Sequence, residues 1–166
     1  MNLGRFYFLS PQYFLDFPNQ NLMSNHSEHN NKPHNRPCFY AFTNDNFIYW
    51  VIPISSKVQK FEDLYSKKKE KYGRCDTIDF CDVLGRRRAF LIQNMCPITQ
   101  KYILNEYIDP IQGSVAIDSI SETRIISKAK KVLALQRKGC KLIFGNVLDI
   151  EKRLVKMEEE LSCFRI

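Results

Sequence analysis

Basic and hydroxyl side chains gather at two places in the chain. Lys32, His34 and Arg36 precede an aromatic, β-branched run at 38–43, and Ser55, Ser56 and Lys57 follow a second such run at 47–54. In an antiparallel hairpin, the residue before the first strand and those after the second lie at the same end of the ladder, so Arg36 and residues 55–57 are expected to be near neighbours. Serine hydroxyls can donate to nonbridging phosphate oxygens, a guanidinium and an ammonium can balance charge, and a lysine can protonate a leaving oxygen. Such a set suits cleavage of RNA through its own 2′-hydroxyl. The substrate then brings the nucleophile, while the protein holds the phosphate, stabilises the added negative charge and moves protons. Neither a metal nor any other cofactor is called for. A plainer reading stands beside it, in which residues 55–57 form a turn with Ser56 capping a helix that begins at Val58.

The elements that must position these groups are read from periodicity and punctuation. Asn44-Asp45-Asn46 separates the two runs with residues that tolerate left-handed backbone, which predicts a β-hairpin with Pro53 at the end of its second strand, where a missing N–H costs least. Residues 3–9 are aromatic and extended. Ser10-Pro11 then starts a short helix with Tyr13, Phe14 and Phe17 on its apolar face. Residues 18–37 hold three prolines and all three histidines without periodicity and read as a long loop. His26, His29 and His34 resemble a metal cluster, but no helix or strand pattern converges them. The spacing of Val58, Phe61, Tyr65 and Tyr72 predicts an amphipathic basic helix over 58–72, closed by Gly73. Strands are expected at 76–83 and 89–94, joined through Leu84-Gly85 and the Arg86-Arg87-Arg88 run. Pro97 breaks the pattern, and 102–108 adds a short strand or turn. Ser119 and Glu122 read as a capping box for a helix whose apolar face holds Ile125, Ala129, Val132 and Leu133 and which stops at Gly139. A last helix starts at Asn146, with a stripe of Val147, Ile150, Leu154, Met157 and Leu161. The expected architecture is one α+β domain spanning 1–166, an antiparallel sheet with packed helices.

The 166 residues leave room for about one domain, and 44% hydrophobic content supports a core of its own. With 25 Lys and Arg against 18 Asp and Glu, the net charge of +7 favours encounter with a polyanion, nucleic acid foremost. No apolar run reaches membrane-spanning length, the first ten residues lack the pattern of a secretory signal, and the six scattered cysteines read as reduced thiols. The expected location is the cytoplasm, away from membranes. The glycine-rich phosphate loops, the H-E-x-x-H helix and the G-x-S-x-G elbow are all missing, which removes support for nucleotide-driven, zinc-protease and α/β-hydrolase chemistry.

Several segments together resemble a known family. They are Arg5-Phe6-Tyr7-Phe8-Leu9 with Tyr13-Phe14, Asn35-Arg36-Pro37-Cys38-Phe39, the run from Tyr49 through Pro53-Ile54-Ser55-Ser56-Lys57, the run from Ala89 through Cys96-Pro97-Ile98, and the Lys130-Lys131-Val132-Leu133 helix. Over essentially its whole length the chain resembles the ToxN/AbiQ family, the endoribonuclease toxins of type III toxin–antitoxin systems, and most closely its CptN-like branch. The Pro-Ile-Ser-Ser unit after a hydrophobic strand is the most specific mark.

The resemblance implies a highly curved, mostly antiparallel sheet similar to the MazF and Kid toxins. It also implies metal-independent RNA cleavage that leaves a 2′,3′-cyclic phosphate. Inhibition would come from a small repeat RNA antitoxin, folded as pseudoknots and bound in a closed toxin–RNA assembly, in systems that serve plasmid maintenance or abortive infection against phage. The family's hydroxyl pair falls on Ser55 and Ser56, its following basic position on Lys57, and its basic residue ahead of the second strand on Arg36 or, alternatively, Lys32. An always-protonated arginine serves better as a charge clamp than as a proton donor, which moves the acid role toward Lys57 or His34. Cellular or phage RNA would be the substrate. Lys60, Lys67, Lys68, Arg74, Arg86, Arg87, Arg88 and Lys131 would track RNA phosphates, with Tyr7 available to stack a base. A noncatalytic protein that packages a structured small RNA is the second reading of the same basic surface.

Overall fold

The computed structural model describes residues 1–24, 26–29, 32–44 and 47–163, with the backbone alone for 26–29 and 32–34. Along the chain run β1 (Phe6–Leu9), α1 (Pro11–Asp16), β2 (His26–His29), β3 (Lys32–Asn35), β4 (Pro37–Thr43), β5 (Tyr49–Ser55), α2 (Val58–Tyr72), β6 (Asp79–Val83) and β7 (Arg86–Phe90). They continue as β8 (Cys96–Ile98), β9 (Ile103–Glu106), β10 (Ile108–Asp109), β11 (Gly113–Ser114), α3 (Ser119–Arg137) and α4 (Val147–Cys163). The fold is α+β. Seven strands form one antiparallel sheet in the order β6-β7-β5-β4-β1-β9, with β8 also pairing β5, and β2–β3 and β10–β11 are separate two-stranded ribbons.

The predicted hairpin lies at the centre of the sheet. β4 and β5 pair from Cys38↔Pro53 to Thr43↔Tyr49, with a bulge between Tyr40 and Phe42. Asn44 closes the bend through its backbone N–H to the Ile48 carbonyl and its Oδ1, which accepts from the Ile48 N–H; Asp45 and Asn46 lie outside the described residues. The other edge of β5 is shared. Tyr49–Val51 pair with β8 and Ile54–Ser55 with β7, and Pro53 falls between the two partners, where no ladder bond needs its absent N–H. Its carbonyl still accepts from Leu91 N at 3.0 Å.

Several boundaries differ from expectation for identifiable reasons. Residues 26–29 and 32–35, expected within a loop, pair as a ribbon, with His26↔Asn35 and His29↔Lys32 in register. Arg86, Arg87 and Arg88 are not a connection but most of β7. The turn is Leu84-Gly85 alone, both with positive φ (51° and 70°), as a two-residue hairpin that matches strand twist requires. Pro97, expected to break the chain, sits in β8 opposite Trp50. Helix α3 is capped by Asp118, whose Oδ1 accepts from Ser121 N at 2.8 Å, so Ser119 is its first helical residue and not its cap.

Phe6, Phe39 and Phe90 meet with ring centroids 5.3 to 6.1 Å apart at the sheet centre, and each fully buried ring contributes about 2–3 kcal/mol by area removed from water. The expected faces of α3 (Ile125, Ala129, Val132, Leu133) and α4 (Val147, Ile150, Leu154) join this core, while Leu161 at the far end of the stripe is exposed. Beneath α2 lies a smaller core of Phe61, Cys75, Ile78, Ala89 and Leu91. All six cysteines carry free thiols, with Cys38, Cys75, Cys81 and Cys96 buried and Cys140 and Cys163 exposed. Among the described residues, no helix is long and apolar enough to cross a membrane.

Candidate functional site

Extending the β4–β5 register one step beyond Cys38↔Pro53 puts Pro37 opposite Ile54. Proline has no N–H to give the Ile54 carbonyl, and the guanidinium of Arg36 donates there instead, Nη1 to O at 3.0 Å. Its Nε donates to the Ser24 carbonyl at 3.4 Å. The side chain is thereby held across the end of the hairpin with further N–H donors unspent. Burial lowers its pKa from the ordinary value, but a guanidinium remains cationic at neutral pH.

On the other strand, Ser55 is buried and its Oγ accepts the Lys57 N–H at 3.2 Å, which leaves its own O–H to donate. Ser56 and Lys57 are exposed. Helix α2 starts at once, with Lys57 in the N-cap position making no side-chain capping bond and no acidic residue in the first turn. Ser56 is therefore not the cap that the plainer reading required. The open amides at that helix start add partial positive charge beside the cleft.

Arg36, Ser55, Ser56 and Lys57 line one cleft of about 440 Å³. Its other walls are Asn35, Pro37 and Ile54 at the hairpin end, Val83, Leu84, Arg86 and Arg88 from β6–β7, and Tyr107 and Asp109 beyond β9. Strand alternation explains how the arginine run divides. Arg86 and Arg88 face the cleft, while Arg87 faces the other way, pairing with Glu62 at 3.1 Å above the Phe80 ring. Among the described residues, Arg36, Lys57, Arg86 and Arg88 form no ion pair. Four cationic side chains and one carboxylate thus share the cleft, which suits it to a phosphodiester and to charge that builds up on its oxygens.

The other expected contacts are dispersed. The backbone of Lys32 and His34 lies in β3, next to the cleft's Asn35, and their side chains fall outside the described residues, as do those of His26 and His29. Tyr7 is 5% exposed and its hydroxyl accepts from Asn2 N at 2.7 Å, so its ring packs in the core and offers no stacking face. Lys68 is half-buried, donating to Thr77 Oγ1 at 2.9 Å and Gln93 Oε1 at 2.7 Å, and burial lowers its pKa; it ties α2 to the body. Arg74 and Lys131 both pair with Asp76, at 3.7 and 2.7 Å. Lys60 and Lys67 are exposed on α2, away from the cleft lining.

Sequence reasoning missed two residues of the cleft that bear chemistry. It named the whole Arg86–Arg88 run for RNA contact, and the two-residue period of a strand is what sorts Arg86 and Arg88 onto the cleft face. Tyr107 and Asp109 had no local signal, since it is the pairing of β9 with β1 that brings them to the hairpin. Compared with known proteins, the chain matches no family model and no curated sequence.

Proposed function

We propose that this chain is an endoribonuclease that cleaves RNA without a metal and acts as the toxin of a type III toxin–antitoxin system in the cytoplasm. The observation that carries the reading is the single cleft that gathers Arg36, Ser55, Ser56 and Lys57 beside the unpaired Arg86 and Arg88. In the proposed reaction the substrate's 2′-hydroxyl gives up its proton to solvent water as its oxygen attacks the adjacent phosphorus. The P–O2′ bond forms, the P–O5′ bond breaks, and a 2′,3′-cyclic phosphate and a free 5′-hydroxyl remain. Ser56 and Ser55 donate to the nonbridging oxygens, and Ser55 also fixes the backbone at Lys57. The Lys57 ammonium supplies the proton for the departing 5′-oxygen, and Arg36, anchored to Ile54, holds the phosphate as charge grows.

A small repeat RNA folded as pseudoknots is the proposed antitoxin, bound along the cationic surface in a closed toxin–RNA assembly, and cellular or phage RNA is the proposed substrate. The net charge of +7 and the resemblance at residues 49–57 support both partners. The test is incubation of the purified protein with labelled RNA and excess chelator. Chelator-resistant fragments with cyclic phosphate ends are expected. Binding without cleavage would replace the enzyme with an RNA-packaging protein.

A further inference from the structure

The carboxylate of Asp109 has the wrong sign for a cleft that holds phosphate, yet it lies in the wall. One part of its role is structural, since Oδ1 accepts from the N–H groups of Ile111 and Gln112, at 2.9 and 2.8 Å, and so shapes the tight turn between β10 and β11. That fixes the carboxylate's orientation. Among the described residues, Oδ2 has no hydrogen-bond or ion-pair partner, and neither Arg86 nor Arg88 comes within ion-pair distance of it. An acceptor oriented by two turn bonds therefore stands free in a cationic cleft.

Beside it is Tyr107, half-buried and braced on several sides. Its ring meets Phe8 edge-on with centroids 5.4 Å apart, its N–H donates to the Phe6 carbonyl at 2.8 Å, and its carbonyl accepts from Val115 N at 3.4 Å. A phosphate needs neither a fixed aromatic ring nor an acceptor. A base needs both, because unstacked bases are recognised by stacking on aromatic side chains and by hydrogen bonds along their edges.

We propose that Tyr107 and Asp109 form a base-recognition subsite, which stacks the base of a nucleotide flanking the scissile phosphate and accepts a hydrogen bond from its exocyclic amino group. Adenine, guanine and cytosine carry such a group. Uracil offers only N3–H between two carbonyl oxygens, which a carboxylate repels, so uridine is the disfavoured neighbour. The inference rests on the endoribonuclease reading and deepens it by assigning the residues that choose which linkage is cut.

The experiment maps cleavage ends in a randomised RNA pool for the wild type, Asp109→Asn and Tyr107→Leu, with thermal unfolding of each as a check on folding. The asparagine keeps the turn acceptor and replaces the free oxygen with a donor, so it should fold normally. The wild type is expected to disfavour uridine by roughly tenfold or more at one position flanking the cut. Asp109→Asn should shift that preference toward uridine, and Tyr107→Leu should raise KM more than it lowers kcat, with the preference blunted. Cleavage with no preference, or with one that Asp109→Asn leaves unchanged, overturns this inference alone. Loss of all cleavage in a folded Asp109→Asn protein would make Asp109 part of the chemistry and overturn its recognition role. Failure of the wild type to cut any RNA overturns the functional reading and this one with it.

Discussion

Two regions of this molecule concentrate positive charge and treat it in opposite ways. At the junction of α3 and β6, the buried carboxylate of Asp79 takes Arg124 through Nε and Nη2, each at 3.1 Å, together with Lys128 at 2.9 Å and the Phe80 N–H at 2.7 Å. Asp76 next to it holds Lys131 and Arg74. In the cleft, Arg36, Lys57, Arg86 and Arg88 share one wall carboxylate that none of them pairs with. The difference separates cations that fasten a helix to a sheet from cations that form no ion pair among the described residues, a distinction that a net charge of +7 cannot make.

The sharpest way to break that comparison is to empty the cleft. Ser56→Ala and Lys57→Ala should each lower RNA cleavage by about 100-fold to 1,000-fold, with melting temperatures close to wild type because both side chains are exposed. Cleavage that survives both changes would leave the cleft without a role in the chemistry. At the other region, Asp79→Asn should cost about 2 kcal/mol in denaturant unfolding. The figure falls below that for a fully buried pair because Arg124 is 43% exposed and regains water.

The pH profile sharpens the same point. Burial raises the Asp79 pKa, but the bonds from Arg124, Lys128 and Phe80 N–H outweigh it and hold the carboxyl below its ordinary value. A depressed folded pKa contributes stability that is fully present above the unfolded value of about 4 and is lost as pH falls through the folded one. The wild type should therefore lose melting temperature below about pH 4 more steeply than Asp79→Asn.

For RNA affinity, Arg86→Ala or Arg88→Ala should each weaken binding about tenfold or less at low salt and reduce the slope of log affinity against log salt by roughly 0.7 per lost phosphate contact. The smallest effect is expected for Arg124→Ala, whose slope should match wild type within about 0.3 when binding is measured well below its melting temperature. A slope change equal to that of Arg86→Ala would erase the distinction between the two regions.

The central hairpin and the faces of α3 and α4 were legible because apolar residues recur there at periods of two and of three to four, and burial must follow that period. Convergence of Arg36 with residues 55–57 followed from strand pairing alone. The β2–β3 ribbon was not legible, since its residues are polar and proline-bearing and carry no alternation. Pro97 misled because a proline interrupts a strand only where its N–H is needed, and the described pairing of β8 is with β5 alone. Tyr107 and Asp109 were hidden for a different reason: about seventy residues separate them from Arg36, and no local pattern encodes a contact over that separation.

Because the cleft draws its lining from positions 35 to 109, a chain emerging from the ribosome cannot own a finished cleft until Asp109 has been released. Any nucleolytic capacity would then switch on late and abruptly. A prematurely terminated fragment ending before β9 would carry Arg36 and residues 55–57 but lack the Tyr107 and Asp109 wall.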